Sequence, residues 1–149
     1  MSAAIRYWWV NQSNSYTEEL RHGCLAAPKR TRGQPVSTWD RVRELQPGDI
    51  VLHFCRGLIL AIGKVSEPAR ERPRPYDLAG SRSSVPHWVA KVKCTPLVAP
   101  IDIRSIPLVW RTPEDGPFDE HGRPRHGYLF PLREPFVQQL AARFGFSLD

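Results

Sequence analysis

The chain carries 15 prolines and 10 glycines among its 149 residues, and this abundance constrains the fold more than any other feature. Proline lacks the backbone N–H that helices and inner strands need, and glycine favours turns. Short elements joined by many turns are therefore expected, and a helix bundle is disfavoured. Because 41% of the residues are hydrophobic and the length suits one domain, we expect a single globular domain over residues 1–149.

Hydrophobic patterning predicts short strands between these turns. An aromatic strand is expected at residues 7–10, and residues 50–54 and 58–65 give the clearest hairpin signal. A further strand is expected at residues 87–94, where apolar and polar side chains alternate. The intervening residues 67–84 are rich in proline and arginine, which predicts a long loop. A broken strand at residues 101–110 and a last short strand at residues 128–130 complete the set.

Helix signals occur at three places in the chain. Ser15 and Glu18 have the spacing of a capping box, which predicts a helix over residues 16–22 that ends at Gly23. Further helices are expected at residues 38–45 and from Pro135 onward. Together these elements predict an α+β domain with a mixed, curved sheet or small barrel of about five to six strands and about three helices.

The charge and the cysteines narrow the classes of function. A formal net charge of +6 favours anionic partners, of which nucleic acid is the commonest soluble one. The cysteines Cys24, Cys55 and Cys94 form no C-x-x-C pair, so neither a zinc site nor another cofactor is predicted. No catalytic constellation is evident, which argues against an enzyme. Without a signal peptide or an apolar span, the protein is expected in the cytoplasm.

Five segments of the sequence resemble those of EVE domains, in the family's order. They are YWWVNQ at 7–12, GCLAAPK at 23–29, WDRVRELQPGDIVLHF at 39–54, AIGKV at 61–65 and HGYLF at 126–130. The resemblance implies a PUA-like fold, related to YTH and ASCH domains, most of which handle nucleic acid. EVE domains are often fused to HNH nucleases in modification-dependent restriction enzymes, where they resemble readers of 5-methylcytosine or 5-hydroxymethylcytosine. No nuclease motif is present, so we expect a reader module or a part of a longer enzyme.

A reader of a flipped base needs aromatic surfaces for stacking, polar groups for the base edge and a basic rim for phosphates. Asn11, Gln12 and Ser13 follow the first strand, a position that contributes edge contacts in YTH-like domains. An Asn or Gln side chain both donates and accepts, which suits a pyrimidine edge. The alternative for all three is ordinary turn chemistry after a strand.

Three larger side chains are further candidates for the base pocket, each with a structural alternative. Trp39 lies on the amphipathic stripe of a predicted helix, which favours a position in the hydrophobic core. For Trp88, a core position and a pocket position fit the sequence equally well. His53 lies between apolar neighbours, which favours a hydrogen-bonded core histidine. Trp8 and Trp9 alternate in direction along their strand and cannot share a face.

Ala26 is the largest departure from the EVE pattern, because the family has a tryptophan there that resembles a cage wall. Cys24 likewise replaces a tyrosine. The pocket is then either degenerate or enlarged for a bulkier base such as hydroxymethyl- or glucosyl-hydroxymethylcytosine. The backbone amide of Ala27 remains available for a base contact. Tyr76 is interpreted as either a stacking lid or a surface residue.

Two arginine-rich clusters are candidates for phosphate contacts or, alternatively, solvated charge that promotes solubility. The proposed phosphate-binding residues are Lys29, Arg30, Arg32, Arg74 and Arg82, with Arg70 and Arg72 alongside them. The leading hypothesis is a base-flipping reader of modified cytosine in DNA that targets a restriction endonuclease. The alternatives are an RNA-binding module for modified RNA, an enzyme, and a protein-interaction domain with a vestigial pocket.

Overall fold

The computed structural model describes residues 4–29, 36–76 and 86–149. These residues form six strands and three α-helices, with three short 3-10 helices. The strands are β1 (Tyr7–Asn11), β2 (Cys24–Pro28), β3 (Ile50–Cys55), β4 (Leu58–Pro73), β5 (Pro86–Asp102) and β6 (Leu129–Leu132). The α-helices are α1 (Tyr16–His22), α2 (Ser37–Asp40) and α3 (Glu134–Phe144), and the 3-10 helices span Arg41–Glu44, Ile103–Ser105 and Leu108–Trp110.

The strands form one mixed sheet in the order β2-β5-β4-β3-β1-β6. Only β1 and β3 pair in parallel; all other neighbours are antiparallel. The sheet curls into a half-barrel, so its two edges approach each other. The hydroxyl of Tyr128, just before β6, accepts a hydrogen bond of 3.2 Å from the Ala26 amide of β2. The structure thus confirms the predicted α+β class with its mixed, curved sheet.

Each face of the sheet has its own hydrophobic core, and the aromatic pair of β1 divides between them. Trp9 packs against Phe54 and Phe118, on the face that α3 covers. Trp8 lies in the opposite core, and its indole N–H donates to a carboxylate oxygen of Asp49 at 3.0 Å. Both tryptophans are fully buried, because every second side chain of a strand points to the opposite face.

The prediction of a long loop at residues 67–84 is wrong for residues 67–73, which belong to a strand. β4 continues as far as Pro73 and pairs with β5, including the pair of Arg72 with His87. The register shifts near Glu67 and Arg70 are bulges, which admit Pro68 despite its missing N–H. This part of the hairpin is mostly exposed on both faces, so it has no apolar alternation that could have revealed a strand.

Helices are present at all three predicted places, but the capping of the first and the type of the second differ from the predictions. Helix α1 has the predicted bounds and ends at Gly23 in the left-handed region, but Ser15 makes no side-chain capping bond. Glu18 instead pairs with Arg21 and His22, so the capping-box prediction is wrong. The second predicted helix is α2 followed by a 3-10 turn over Arg41–Glu44. No helix within the described residues is long and apolar enough to cross a membrane.

We expect Gly23→Ala to lower the free energy of unfolding by about 1 kcal/mol, because an L side chain is strained at this φ of +63°. An added Cβ would meet the Val92 carbonyl only at ordinary contact distance, 3.4 Å, so the cost is conformational. Asparagine tolerates the left-handed region, and Gly23→Asn should cost less. Urea denaturation checks both values, with exposed Thr17→Ala of the same helix as control. Equal losses for Ala and Asn would contradict this explanation.

Candidate base-binding site

A buried cluster of polar side chains lies where the two sheet edges approach. Its centre is Glu19 of α1, which is only 1% exposed. The Oε2 atom of Glu19 accepts hydrogen bonds from Gln12 Nε2 at 2.9 Å and from the Tyr128 hydroxyl at 2.6 Å. Through its bond with the Ala26 amide, the same hydroxyl links Glu19 to β2. The cluster therefore joins α1 to the ends of β1 and β6 and to the edge strand β2.

The cluster continues beneath Gln12 to a buried histidine. His53 Nδ1 lies 3.0 Å from Gln12 Oε1, and its Nε2 lies 3.4 Å from the sulfur of Cys94. Burial lowers the pKa of His53 to about 4, so the ring is neutral near neutral pH. Because an amide oxygen only accepts, Nδ1 carries the proton and donates to Gln12, and Nε2 accepts from the Cys94 thiol. His53 thus fixes the orientation of the Gln12 amide.

The Glu19 carboxyl is unusual in both its charge and its partners. Burial raises its pKa to about 7, although hydrogen bonds from Tyr128 and Gln12 and the nearby hydroxyls of Ser15 and Tyr76 oppose the shift. Its Oε1 atom is buried and has no hydrogen-bond partner among the described residues. The phenol oxygen of Tyr76 is likewise buried without a partner, and burial together with Glu19 raises the pKa of that phenol strongly. The cluster therefore contains two polar atoms that a ligand could satisfy.

The ring of Tyr76 packs against Ala26, the position at which EVE domains have a tryptophan. It is 7% exposed and packs on the face of β2 and β5 that carries Cys24, Ala26 and Val89. It also stacks on the His22 ring, with centroids 5.3 Å apart and planes inclined by 27°, and the Arg74 guanidinium lies 5.1 Å from its centroid. Tyr76 is therefore buried rather than a surface residue, and its ring packs directly against the small side chain of Ala26.

Of the three residues predicted after the first strand, only Gln12 belongs to the cluster. The Asn11 amide is fully used, because its nitrogen donates to the carbonyls of Arg125 and Gly127 and its oxygen accepts from the Trp9 indole. It orders the loop before β6. Ser13 is exposed; its hydroxyl contacts the neighbouring Asn14, and its carbonyl accepts from the thiol of Cys55 at the end of β3.

In β2, the backbone amide that faces away from β5 belongs to the residue before the one expected. The bonds from Lys29 N to Pro86 O and from Val92 N to Gly23 O set the phase of the β2–β5 ladder. By alternation, the Ala27 amide faces β5 and is not available to a ligand. The Ala26 amide faces away from β5 and reaches the cluster through Tyr128. The backbone amide of β2 that faces the cluster is therefore that of Ala26, and it donates to Tyr128.

The structure does not bring the two candidate tryptophans to this cluster. Trp88 and Trp39 pack against the core that contains Trp8, and Trp88 lies one residue out of phase with Val89 on β5. The Trp88 ring lies beneath two cations, Lys29 Nζ at 4.9 Å and the Arg43 guanidinium at 4.7 Å from its centroid. Their role in a base pocket is not supported by these positions. His53 belongs to the cluster, as a support for Gln12.

The predicted phosphate-binding residues are engaged with the protein itself wherever the structure describes them. Lys29 forms an ion pair of 3.0 Å with Glu71 in addition to its contact with Trp88. Arg74 is 7% exposed, and its Nε donates to the Tyr76 carbonyl at 2.8 Å. The remaining candidates Arg30, Arg32 and Arg82 lie outside the described residues.

A different set of basic residues lies beside Gln12, around a depression of about 330 Å³. Arg56, Arg125 and His126 line it and are exposed. Neither arginine forms an ion pair with any residue that the structure describes. Sequence analysis missed them because Arg56 occupies a hairpin turn, at a φ of 51°, and Arg125 occupies a Gly/Pro-rich loop. Only the pairing of β1 with β3 and β6 brings these loops together.

Sequence analysis also missed Glu19, Tyr128 and Cys94 as members of the site. A weak signal existed for Glu19, because it occupies the inward face of a helix whose apolar content is low. No group of His, Cys, Asp and Glu side chains within the described ranges could hold a metal ion. The arrangement is thus suited to binding a flat polar ring through hydrogen bonds and stacking.

Comparison with solved structures identifies the fold. The Pho92 YTH domain, solved in complex with m6A, gives a TM-score of 0.63 at 12% identity over 96% of this chain and 87% of that one. The YTH domain of Zygosaccharomyces rouxii MRB1, solved with N6-methyladenosine RNA, gives 0.63 at 16% identity over 95% and 88%. A protein of Rhodopseudomonas palustris gives 0.56 at 14% identity over 95% and 94%. The chain therefore has a PUA-like fold of the YTH type.

The likeness to these structures is one of fold. No protein-family model matches the sequence, and no curated protein matches it.

Proposed function

We propose that this protein is a nucleic-acid-binding domain that recognises a modified base turned out of its stack, and that it acts by binding rather than catalysis. The observation that carries the proposal is the buried polar cluster of Glu19 and Gln12, in which an aromatic ring of the chain itself fills the place expected for a base. The YTH domains that share this fold were solved with a modified nucleoside or its RNA.

The arrangement supplies what recognition of an extruded base requires. Extrusion costs a few kcal/mol, and stacking on an aromatic ring returns about 1–3 kcal/mol per base. The His22 ring stacks on the Tyr76 ring, the Arg74 guanidinium lies over it at 5.1 Å from its centroid, and Cys24, Ala26 and Val89 pack around it; the same groups would surround a base in its place. The exposed guanidiniums of Arg56 and Arg125 lie beside this site and suit the flanking phosphates.

The finer proposal is that the base is a modified cytosine in DNA, namely 5-methyl-, 5-hydroxymethyl- or glucosyl-hydroxymethylcytosine. In that case the domain targets a modification-dependent restriction endonuclease in the cytoplasm. The EVE-like segments favour this reading, and the small Ala26 side chain would admit a bulky substituent once Tyr76 moves aside. The second candidate is a reader of modified RNA, which the N6-methyladenosine complexes of the YTH neighbours favour.

A binding titration separates these candidates. One short duplex would carry a central cytosine in four forms (unmodified, 5-methyl, 5-hydroxymethyl and glucosylated), and single-stranded RNA would carry adenosine or N6-methyladenosine. We expect tightest binding to one modified cytosine form. Preference for the methylated RNA would support the second candidate. Equal binding to every form of both polymers would refute recognition of a modification, and no binding to any probe would refute the whole proposal.

We expect the Arg56→Ala, Arg125→Ala double variant to weaken binding about tenfold and to reduce the slope of log affinity against log salt by about 1 to 2. Titrations at about 50 and about 200 mM salt measure this slope. The matched control is Arg143→Ala, an exposed arginine of α3 that does not line the depression. An unchanged salt slope in the double variant would show that phosphates bind elsewhere.

A further inference from the structure

The Glu19 carboxyl presents one unused oxygen to the place that the proposed function assigns to a base. Its Oε2 accepts from Gln12 and Tyr128, which together fill both lone pairs of a carbonyl oxygen. Its Oε1 and the phenol oxygen of Tyr76 are buried without a hydrogen bond of good geometry in the described part of the chain, although the hydroxyls of Ser15 and Tyr76 lie close enough to Glu19 to lower its pKa. Such atoms are rare in native structures, so the pair indicates where polar groups of a ligand belong.

The existing hydrogen bonds also decide where Glu19 carries its proton. Because Oε2 already accepts twice, the proton of the neutral acid belongs on Oε1, which then points an O–H donor into the site. Burial favours this neutral form by raising the pKa of Glu19 to about 7.

The titratable groups around Glu19 add no charge near neutral pH. Burial raises the pKa of the thiols and phenols and lowers the pKa of the histidine, so all of them are neutral there; they are Cys24 of β2, Cys94 of β5, Tyr76 after β4, Tyr128 before β6, and His53 of β3. Arg72 and Arg74 act on Cys24 and Tyr76, respectively. Among the carboxyl, thiol, phenol and imidazole groups named here, Glu19 alone therefore changes its charge near neutral pH; His22, whose ring stacks on Tyr76, is the further titratable group that faces the site.

We propose that Glu19, as a neutral acid, selects a nucleobase whose ring-nitrogen acceptor lies beside an exocyclic amine, which is the edge that cytosine and adenine share. This inference rests on the proposed function and names its base class. The ring nitrogen accepts from the Glu19 Oε1–H. The exocyclic amine donates to the Ala26 carbonyl, which faces the same side of β2 as the Ala26 amide. Guanine, thymine and uracil carry an N–H at this ring position, so two donors would meet.

Tyr76 occupies the position of this base in the free protein. Its ring stacks on His22 and covers Ala26, and its unpartnered hydroxyl lies beside Glu19, as the polar edge of a base would. The base replaces the Tyr76 ring when it binds. Removing the ring should then remove a competitor, and we expect Tyr76→Ala to bind about tenfold more tightly. Weaker binding by this variant would show that Tyr76 contacts the base from outside and would overturn this placement.

The test measures affinity against pH for short duplexes in which cytosine, adenine, guanine or thymine lies opposite an abasic site, a pairing that lowers the cost of extrusion. For the wild type we expect preference for cytosine and adenine, and an affinity for them that falls about 30-fold between about pH 6 and about pH 8.5. Glu19→Gln places an amide N–H where the acid carries its proton. This variant should keep the preference and lose the pH dependence.

An exposed glutamate outside the site provides the control, because Glu120→Gln should retain the wild-type pH profile. Two results would overturn the role of Glu19: loss of binding in Glu19→Gln, or the same pH profile in Glu19→Gln and the wild type. Neither result would contradict nucleic-acid binding by the wild type. A wild type that prefers guanine or thymine would overturn the base class. A wild type that binds none of these duplexes at about pH 6, where the acid is neutral, would overturn this inference, whereas the proposed function falls only if the modified duplexes and the RNA do not bind either.

Discussion

Replacing Glu19 by glutamine is expected to remove a pH-dependent loss of stability of about 3 kcal/mol. The pKa of Glu19 rises from its ordinary 4.5 to about 7 in the folded protein, with burial as the main cause. A carboxyl with a raised folded-state pKa gives its full stability below the unfolded pKa. That stability is lost as the pH rises from 4.5 through about 7. Glutamine mimics the neutral acid, since its oxygen can accept from Gln12 and Tyr128.

The measurement is urea denaturation of both proteins from about pH 4 to about pH 8. Other groups titrate over this range as well, so the informative quantity is the difference in unfolding free energy between Glu19→Gln and the wild type at each pH. We expect that difference to grow by about 3 kcal/mol in favour of the variant. Glu120→Gln, at a solvated loop position whose side chain is 82% exposed, should give a nearly constant difference. Parallel curves for Glu19→Gln and the wild type would show that the buried carboxyl is not neutral.

Gly63→Ala is expected to destabilise the protein by about 3 kcal/mol, because β4 passes too close to the site for any side chain. An added Cβ would overlap His53 Nε2 and would lie 2.6 Å from Val92 Cγ1. Both neighbours are buried, and His53 is held by Gln12 and Cys94, so neither can move without losing packing or hydrogen bonds. The variant should therefore also disturb the Gln12 amide that supports Glu19.

A double-mutant cycle in urea denaturation tests this explanation. His53→Ala vacates the space that the new methyl group needs, so Gly63→Ala should cost much less in that background. Gly57→Ala is the control, because a Cβ there meets nothing within 4 Å and its φ of +85° predicts only a conformational cost of about 1 kcal/mol. Additive effects of Gly63→Ala and His53→Ala would contradict steric overlap as the cause.

Local patterns determined much of this fold. The apolar strands β1 and β3, the first half of β4, helix α1 with its glycine stop, and the start of α3 all follow from signals within a few residues of sequence. Such signals are reliable because burial on one face imposes a period on the side chains. The outer half of β4 has no such period, since it is mostly exposed on both faces, and its strand character comes only from pairing with β5.

For the candidate site, the sequence determined Gln12 and the importance of Ala26, because both lie in segments that resemble EVE domains. It did not indicate Glu19, Arg56 or Arg125, and it left Tyr76 open between a stacking lid and a surface residue. A glutamate on a short helix and a tyrosine after a proline-rich stretch both have the local pattern of solvent-exposed residues. They are buried together only because the sheet curls until β2 and β6 approach, and that curl depends on long-range strand pairing. Local sequence therefore specified the elements, and tertiary structure specified which polar groups meet inside the half-barrel.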